Sequence, residues 1–177
     1  MTREHVRRNR TSWNAWSAEY QAKHGPQLDE KPLAWGVWGI PESELDILGD
    51  LSGKQVLELG CGGAQWSRFL AERGFDVVGI DLSESQLAHA RRTSAPELRL
   101  LQANAEACPF GDASFDVVFC DHGATSFCDP RRVVPEAARL LRDGGLFAFN
   151  IASPLLDLCW DDGADAEIGR ASCRERV

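Results

Sequence analysis

Gln55-Val56-Leu57-Glu58-Leu59-Gly60-Cys61-Gly62-Gly63-Ala64-Gln65 is the stretch that decides the fold. Gln55–Leu59 reads as a short buried strand, and the glycines behind it let the backbone turn sharply and lie close to a ligand. Ala64–Arg73 reads as a helix closed by Gly74, so its free N-terminal amides face the same turn. Outward from there the pattern repeats. Asp76–Ile80 is a strand. Ser83–Arg92 is a helix with Ser83 and Gln86 spaced as a capping box. Leu98–Gln102 and Asp116–Cys120 are strands. Pro130–Arg142 is a helix with Asp129 as its cap and Gly144-Gly145 as its stop, and Leu146–Ile151 is a fifth strand. Strands alternating with helices predict the α/β class, with a doubly wound, mainly parallel sheet.

Ligands of such sheets bind beyond the carboxyl ends of the strands. Asp81 ends the second strand, 21 residues after Gly60, where an acid accepts hydrogen bonds from ribose hydroxyls. The dinucleotide pattern G-x-G-x-x-G is broken, because Gln65 stands at its third glycine. Glu58 adds a carboxylate at the mouth of the loop, which repels a pyrophosphate and suits an ammonium group. An amino-acid head, a ribose and an adenine in one ligand match these demands, and S-adenosylmethionine has all three. A nicotinamide-dependent oxidoreductase is the alternative that Gln65 and Glu58 disfavour. A cofactor-binding protein without catalysis is another.

The segment Val56–Gly63 resembles the first motif of class I S-adenosylmethionine-dependent methyltransferases, of the kind called methyltransferase type 11. Val78-Gly79-Ile80-Asp81-Leu82-Ser83 resembles their second motif. Asn104–Phe110 with Phe115-Asp116-Val117-Val118 is similar to the region from the third strand into the fourth, and Arg139–Gly145 to the turn before the fifth. The resemblance covers residues 55–151 and implies a Rossmann-like fold with two further strands that this sequence lacks. It implies that Glu58, Gly60 and Gly62 face the methionine part of the cofactor, with Cys61 among the cofactor-binding positions of the same turn. Asp81 would hold the ribose, and Leu82 would pack on the adenine. Asn104, Ala105 and Glu106 would lie near that ring, and Cys120 beside the methionyl portion. Many members carry Asp where this chain has Asn104, which leaves the direction of that hydrogen bond open; a plain turn residue is the other reading. Cys61 suits packing better than thiol chemistry.

His122 follows the fourth strand and is the candidate catalytic residue, as a base taking a proton from an attacking hydroxyl or amine. A loop His that only shapes the pocket is the alternative. Cys120, His122 and Cys128 match no common zinc spacing, so no metal is expected. Without Asn-Pro-Pro-Tyr after the fourth strand, amino methylation of a nucleobase or glutamine is disfavoured, and a small-molecule acceptor is expected.

The chain has 177 residues, with 27 acidic against 19 basic side chains and a net charge of -8. That balance argues against a phosphate-tracking nucleic-acid binder. No apolar run approaches about 18 residues, so no membrane span is expected. Six Cys without a CxxC pair read as reduced, cytoplasmic thiols. The oligomeric state is left open. Residues 1–50 are expected to form a helical cap, packed on the sheet or serving as a substrate lid lined by aromatics: a helix over Thr2–Lys23 with Trp13, Trp16 and Tyr20 on one face, ended by His24-Gly25-Pro26, then an aromatic loop to Gly39 and a short helix over Pro41–Leu48. The cofactor domain is expected over 51–153 and the start of a substrate-side region over 154–166. Residues 167–177 back-translate, from Ile168 onward, into a read-through sequencing adapter and are expected to be a non-native tail.

Overall fold

The computed structural model describes residues 4–152 and the pairs 160–161 and 166–167. The remainder of the substrate-side region and of the expected tail lies outside the described residues. In chain order the elements are α1 (Glu4–Glu30), the two-residue strands β1 (Ala34–Trp35) and β2 (Ile40–Pro41), and α2 (Glu42–Leu45). The α/β body follows as β3 (Gln55–Leu59), α3 (Gln65–Glu72), β4 (Asp76–Asp81), α4 (Glu84–Thr93), β5 (Arg99–Gln102), β6 (Phe115–Asp121), α5 (Ala124–Phe127), α6 (Pro130–Leu140) and β7 (Leu141–Asn150). Trp160–Asp161 (β8) pairs antiparallel with Ala166–Glu167 (β9).

The main sheet has the order β5-β4-β3-β6-β7, and every neighbouring pair in it is parallel. The predicted α/β doubly wound class is what forms. The order reverses between β3 and β6, and the carboxyl ends of these two strands flank the crevice where such sheets bind ligands. The period-two alternation of the strands divides the core. Leu57, Leu59, Val78, Ile80, Val118 and Cys120 pack with Val133, Ala137 and Leu140 of α6. Val56, Val77, Val117 and Phe119 pack with Trp66 and Leu70 of α3 and with Trp35. Val56, Leu57, Ile80, Val118, Phe119 and Cys120 are fully enclosed, as expected of strands covered on both faces.

Three expectations from the sequence are corrected. First, α1 does not stop at His24-Gly25-Pro26; it continues to Glu30 with Pro26 inside it. A Pro in a helix loses one backbone bond, and here the last turn is held from outside by the ion pair of Asp29 with Arg68 at 2.5 Å. Second, the expected aromatic loop contains the β1–β2 hairpin, and the helix expected from Pro41 covers only Glu42–Leu45, stopped by Asp46 in the left-handed region at φ 50°. Third, α6 ends at Leu140 and the chain enters β7 at Leu141, with no glycine stop between. Leu141 pairs with Phe115, a register irregularity follows in β6, and Arg142 pairs with Asp116 at 2.5 Å. These contacts draw residues 141–145 into the ladder.

Candidate functional site

The turn after β3 is held by its neighbours along the sheet. The amides of Gly60 and Cys61 both donate to the Ile80 carbonyl, at 2.8 and 2.9 Å. The amide of Gly62 donates to Asp81 Oδ2 at 2.8 Å, and Ser83 N donates to Oδ1 at 2.7 Å. Asp81 therefore ties the glycine turn to the start of α4, and each of its oxygens has a second lone pair to offer. Burial raises its pKa, against the pull of the Ser83, Gly62 and Leu82 amides. Ala64 begins α3 at φ 59°, a left-handed conformation that costs a residue with a Cβ about 1–2 kcal/mol.

Glu58 is 5% exposed. It lies on the α3 side of β3, where Oε2 accepts from the Ser67 amide at 2.9 Å and the Ser67 hydroxyl at 2.5 Å. Burial pushes its carboxyl up to about 8; the Ser67 bonds oppose this, and repulsion from Asp121 and Asp81 adds to it. The open carboxylate expected at the loop mouth is thus a buried acid that holds its proton well above the usual carboxylate range. Asp121, at the end of β6, accepts from the Gly36 amide at 3.0 Å and is likewise raised by burial. Three carboxyls surround the turn, and each is pushed toward neutrality.

The other expected residues divide in two. Leu82 and Asn104 line a cleft of about 750 Å³ between α1 and the ends of β4 and β5, together with Val6, Gln102 and Glu106. Asn104 Oδ1 accepts from the Glu106 amide at 3.0 Å, so Asn104 shapes a turn and also faces the cleft; its amide nitrogen is the group left to donate. Glu106 is buried, with Oε1 2.5 Å from His5 Nε2 and 3.0 Å from the Asp129 amide. By contrast Cys61, Ala105 and Cys120 turn their side chains into the core. Cys120 Sγ accepts from Thr125 Oγ1 at 3.1 Å, and burial pushes its thiol up to about 11. Strand alternation accounts for this: at the end of β6 only Asp121 points into the crevice, and its neighbour Cys120 faces α6. His122 stands at φ 51° with its amide donating to the Asn150 carbonyl at 3.0 Å, directly beside Asp121.

Two sets of contacts had no reading in the sequence. The segment Gly123-Ala124 lies on the glycine turn: a Cβ on Gly60 would overlap the Ala124 nitrogen, and one on Gly123 would lie 2.7 Å from the Leu59 carbonyl oxygen. In addition α1 crosses the ends of the strands. Asn14 bonds Ser83 and Glu84, Arg10 pairs with Glu84, and Gln21 bonds Gln86. The Trp13 ring meets Tyr20 at 5.3 Å and Phe127 of α5 at 5.2 Å, both edge to face.

The methyltransferase-domain family matches residues 57–149, more than half of the chain. The chain belongs to the class I S-adenosylmethionine-dependent methyltransferase family. Over 140 residues it is 31% identical to a protein named ubiquinone biosynthesis O-methyltransferase from Paracidovorax citrulli, covering 76% of this chain and 55% of that one. Over 96 residues it is 41% identical to malonyl-[acyl-carrier protein] O-methyltransferase from Enterobacter lignolyticus, covering 54% and 38%. A crystal structure of an S-adenosylmethionine-dependent methyltransferase from Mesorhizobium loti superposes with a TM-score of 0.58 at 26% identity, covering 68% of this chain and 58% of that one. The chain therefore spans about half or less of the length of the curated relatives quoted. Within this methyltransferase fold the matched residues contain the glycine turn, Asp81, Asn104 and His122. Residues 4–30, and with them the whole of α1, lie outside the match. No helix among the described residues is long and apolar enough to cross a membrane.

Proposed function

We propose that this chain binds S-adenosylmethionine at the β3–α3 turn and acts as a methyltransferase on a small-molecule nucleophile, within the cytoplasm. The observation that carries the reading is the convergence of Glu58, Asp81 and Asp121 on one glycine turn, each raised first by burial, and Glu58 further by the other two. A site in which carboxyls repel one another takes a cation and rejects a pyrophosphate. The sulfonium and ammonium of S-adenosylmethionine fit it; a nicotinamide dinucleotide does not. The free thiols of Cys61, Cys108, Cys120 and Cys128 support a reducing compartment.

When bound, the cofactor supplies a methyl group on a sulfonium, electrophile and leaving group together. The chain's own residues position it. In this reading Asp81 holds the ribose hydroxyls with the lone pairs that Gly62 and Ser83 leave over. Leu82 and Asn104 flank the adenine in their cleft, and Glu58 answers the ammonium by giving up its proton. His122, next to Asp121, takes the proton of the acceptor. Holding two reactants in line is worth up to about 7–11 kcal/mol in favourable cases, so a strict catalytic triad is unnecessary. Two relatives are named O-methyltransferases, which supports an oxygen acceptor. Residues 51–153 form the cofactor domain in this reading, and residues 1–50 its cap.

Calorimetric titration tests the cofactor directly: S-adenosylmethionine should bind and NAD should not. Asp81→Ala is expected to weaken S-adenosylmethionine binding by about 1.5–3 kcal/mol, the range for hydrogen bonds to a charged group. An unchanged affinity in a folded Asp81→Ala chain would remove Asp81 from the site. Turnover against a panel of hydroxyl and carboxyl acceptors separates an enzyme from a protein that only binds the cofactor.

A further inference from the structure

α1 is a polar helix set on a polar surface. Its fully buried residues are Val6, Ser17, Gln21 and Gly25, and its apolar anchors are Val6 and the half-buried Trp13, whose ring meets Phe127 of α5. The rest of the attachment is hydrogen bonds and ion pairs, and they fall on the loops around the crevice: Asn14 and Arg10 on the start of α4, His5 on Glu106, Asn9 on the Phe127 carbonyl.

Gln21 is the one that reaches the glycine turn. It is 5% exposed. Its Nε2 donates to Gln86 Oε1 at 2.8 Å and its Oε1 accepts from Gln65 Nε2 at 3.1 Å. A Cβ on Gly63 would lie 2.7, 2.8 and 2.9 Å from Oε1, Nε2 and Cδ of Gln21, so the carboxamide lies flat against the turn. A carboxamide has two donors and two acceptor lone pairs; one of each is met by Gln86 and Gln65. Leu would fill the same volume without the cost of desolvating an amide. Gln86 is also diverted. Ser83 Oγ caps Gln86 N at 3.1 Å, yet the Gln86 side chain turns to Gln21 and leaves Ser83 N to Asp81. Three amide side chains thus join α1 to α3 and α4 where those helices meet the turn.

We propose that Gln21 is a cofactor-binding residue: its second N–H donates to the α-carboxylate of the cofactor's amino-acid head at Gly63, so that cofactor binding and the docking of α1 are one coupled event. The proposal rests on the reading that the turn holds S-adenosylmethionine. A ligand that adds bonds to Gln21 strengthens the attachment of α1 by the same free energy with which α1 strengthens the ligand.

The test is calorimetry and amide hydrogen exchange on the full chain, for the unmodified protein, Gln21→Leu, Gly63→Ala and the double variant. Gln21→Leu should give up part of the basal protection of α1 with its bonds to Gln86 and Gln65, and should bind S-adenosylmethionine about tenfold more weakly or worse, the loss expected for a hydrogen bond to a charged group. Gly63→Ala pushes the carboxamide off the turn from the other side and should cost a similar factor, and the double variant should be little worse than either alone. Cofactor should raise protection across residues 4–30 in the unmodified chain and much less in Gln21→Leu. Decarboxylated S-adenosylmethionine, which lacks the α-carboxylate, should bind the unmodified chain and Gln21→Leu alike. Equal S-adenosylmethionine affinity in the two chains, or an equal loss with the decarboxylated ligand, would overturn the assignment of Gln21. Failure of the unmodified chain to bind S-adenosylmethionine would overturn the functional reading itself, and this proposal with it.

Discussion

Gly60→Ala is expected to lower the melting temperature by roughly 5–20 °C, the equivalent of about 2–5 kcal/mol in a chain of this size. Two costs combine. Gly60 sits at φ 73°, where a Cβ costs about 1–2 kcal/mol. The Cβ would also overlap the Ala124 nitrogen and lie 2.9 Å from the Gly123 carbonyl carbon, and backbone cannot step aside as a flexible side chain does. Gly53 is the control, because it has nearly the same φ, 71°, with nothing within 4 Å of the added Cβ. Gly53→Ala therefore reports the cost of the dihedral alone, and the excess in Gly60→Ala reports the contact. Gly123→Ala approaches the same contact from the other side without a left-handed φ, and should cost about 1–3 kcal/mol. Because both substitutions push apart the same two loops, the double variant should lose less than the sum. The displaced loop carries His122, so methyl transfer should fall with it. Thermal melts of Gly60→Ala and Gly53→Ala that coincide would show that the two loops yield freely.

This loop-on-loop contact also marks the limit of what the sequence discloses. The strands and helices of residues 55–140 are legible because their apolar residues recur at the right period and their ends carry Asp, Ser and Gly; Ser83 and Asp129 do cap α4 and α6. The glycine turn and Asp81 are legible because close backbone approach restricts residue type. Gly123 is not, since nothing in its neighbourhood says that the partner is another glycine 63 residues earlier. The extent of α1 is hidden for a similar reason: Gly25-Pro26 reads as a stop, while Gly25 is buried and the Asp29–Arg68 pair ties the last turn to α3 across space. Gln21 carries no signal of its own, because a Gln on a helix is ordinarily a solvated residue. Cys120 is a different case: it stands at the end of β6 beside Asp121, and the pleat turns its side chain into the core. In each case the missing information is long-range, while local propensity and period remain true.

Glu58→Gln is expected to stabilise the protein at pH 8 and to weaken its hold on the cofactor, two effects that a purely structural residue would not combine. The carboxyl sits near 8 in the folded chain against an ordinary 4.5, chiefly through burial. A raised acid keeps its proton in the native state while the unfolded chain releases it. Its contribution is therefore complete below about pH 4.5 and is lost as pH rises toward 8, with a total of a few kcal/mol in order of magnitude. Asp81 and Asp121, also raised by burial, act in the same direction. Glu84, held down to about 2 by Arg10 and Asn14, acts in the opposite sense, and only in acid. Stability should thus decline from pH 6 to 8. The Gln variant keeps an acceptor for the Ser67 amide and hydroxyl without a proton to lose, so its melting temperature should exceed that of the unmodified chain at pH 8, with the advantage shrinking as pH falls and gone below about pH 4.5. Cofactor binding tests the same group from the other side. A bound cation favours the carboxylate, so binding to the unmodified chain should release a proton below pH 8 and tighten as pH rises from 6, as calorimetry in buffers of different ionisation enthalpy will report. The Gln variant should bind more weakly, with no such release. A Gln variant that melts below the unmodified chain at pH 8, or that still releases the proton on binding, would mean that Glu58 is ionised in the folded protein and that its charge is balanced by a partner other than the cofactor.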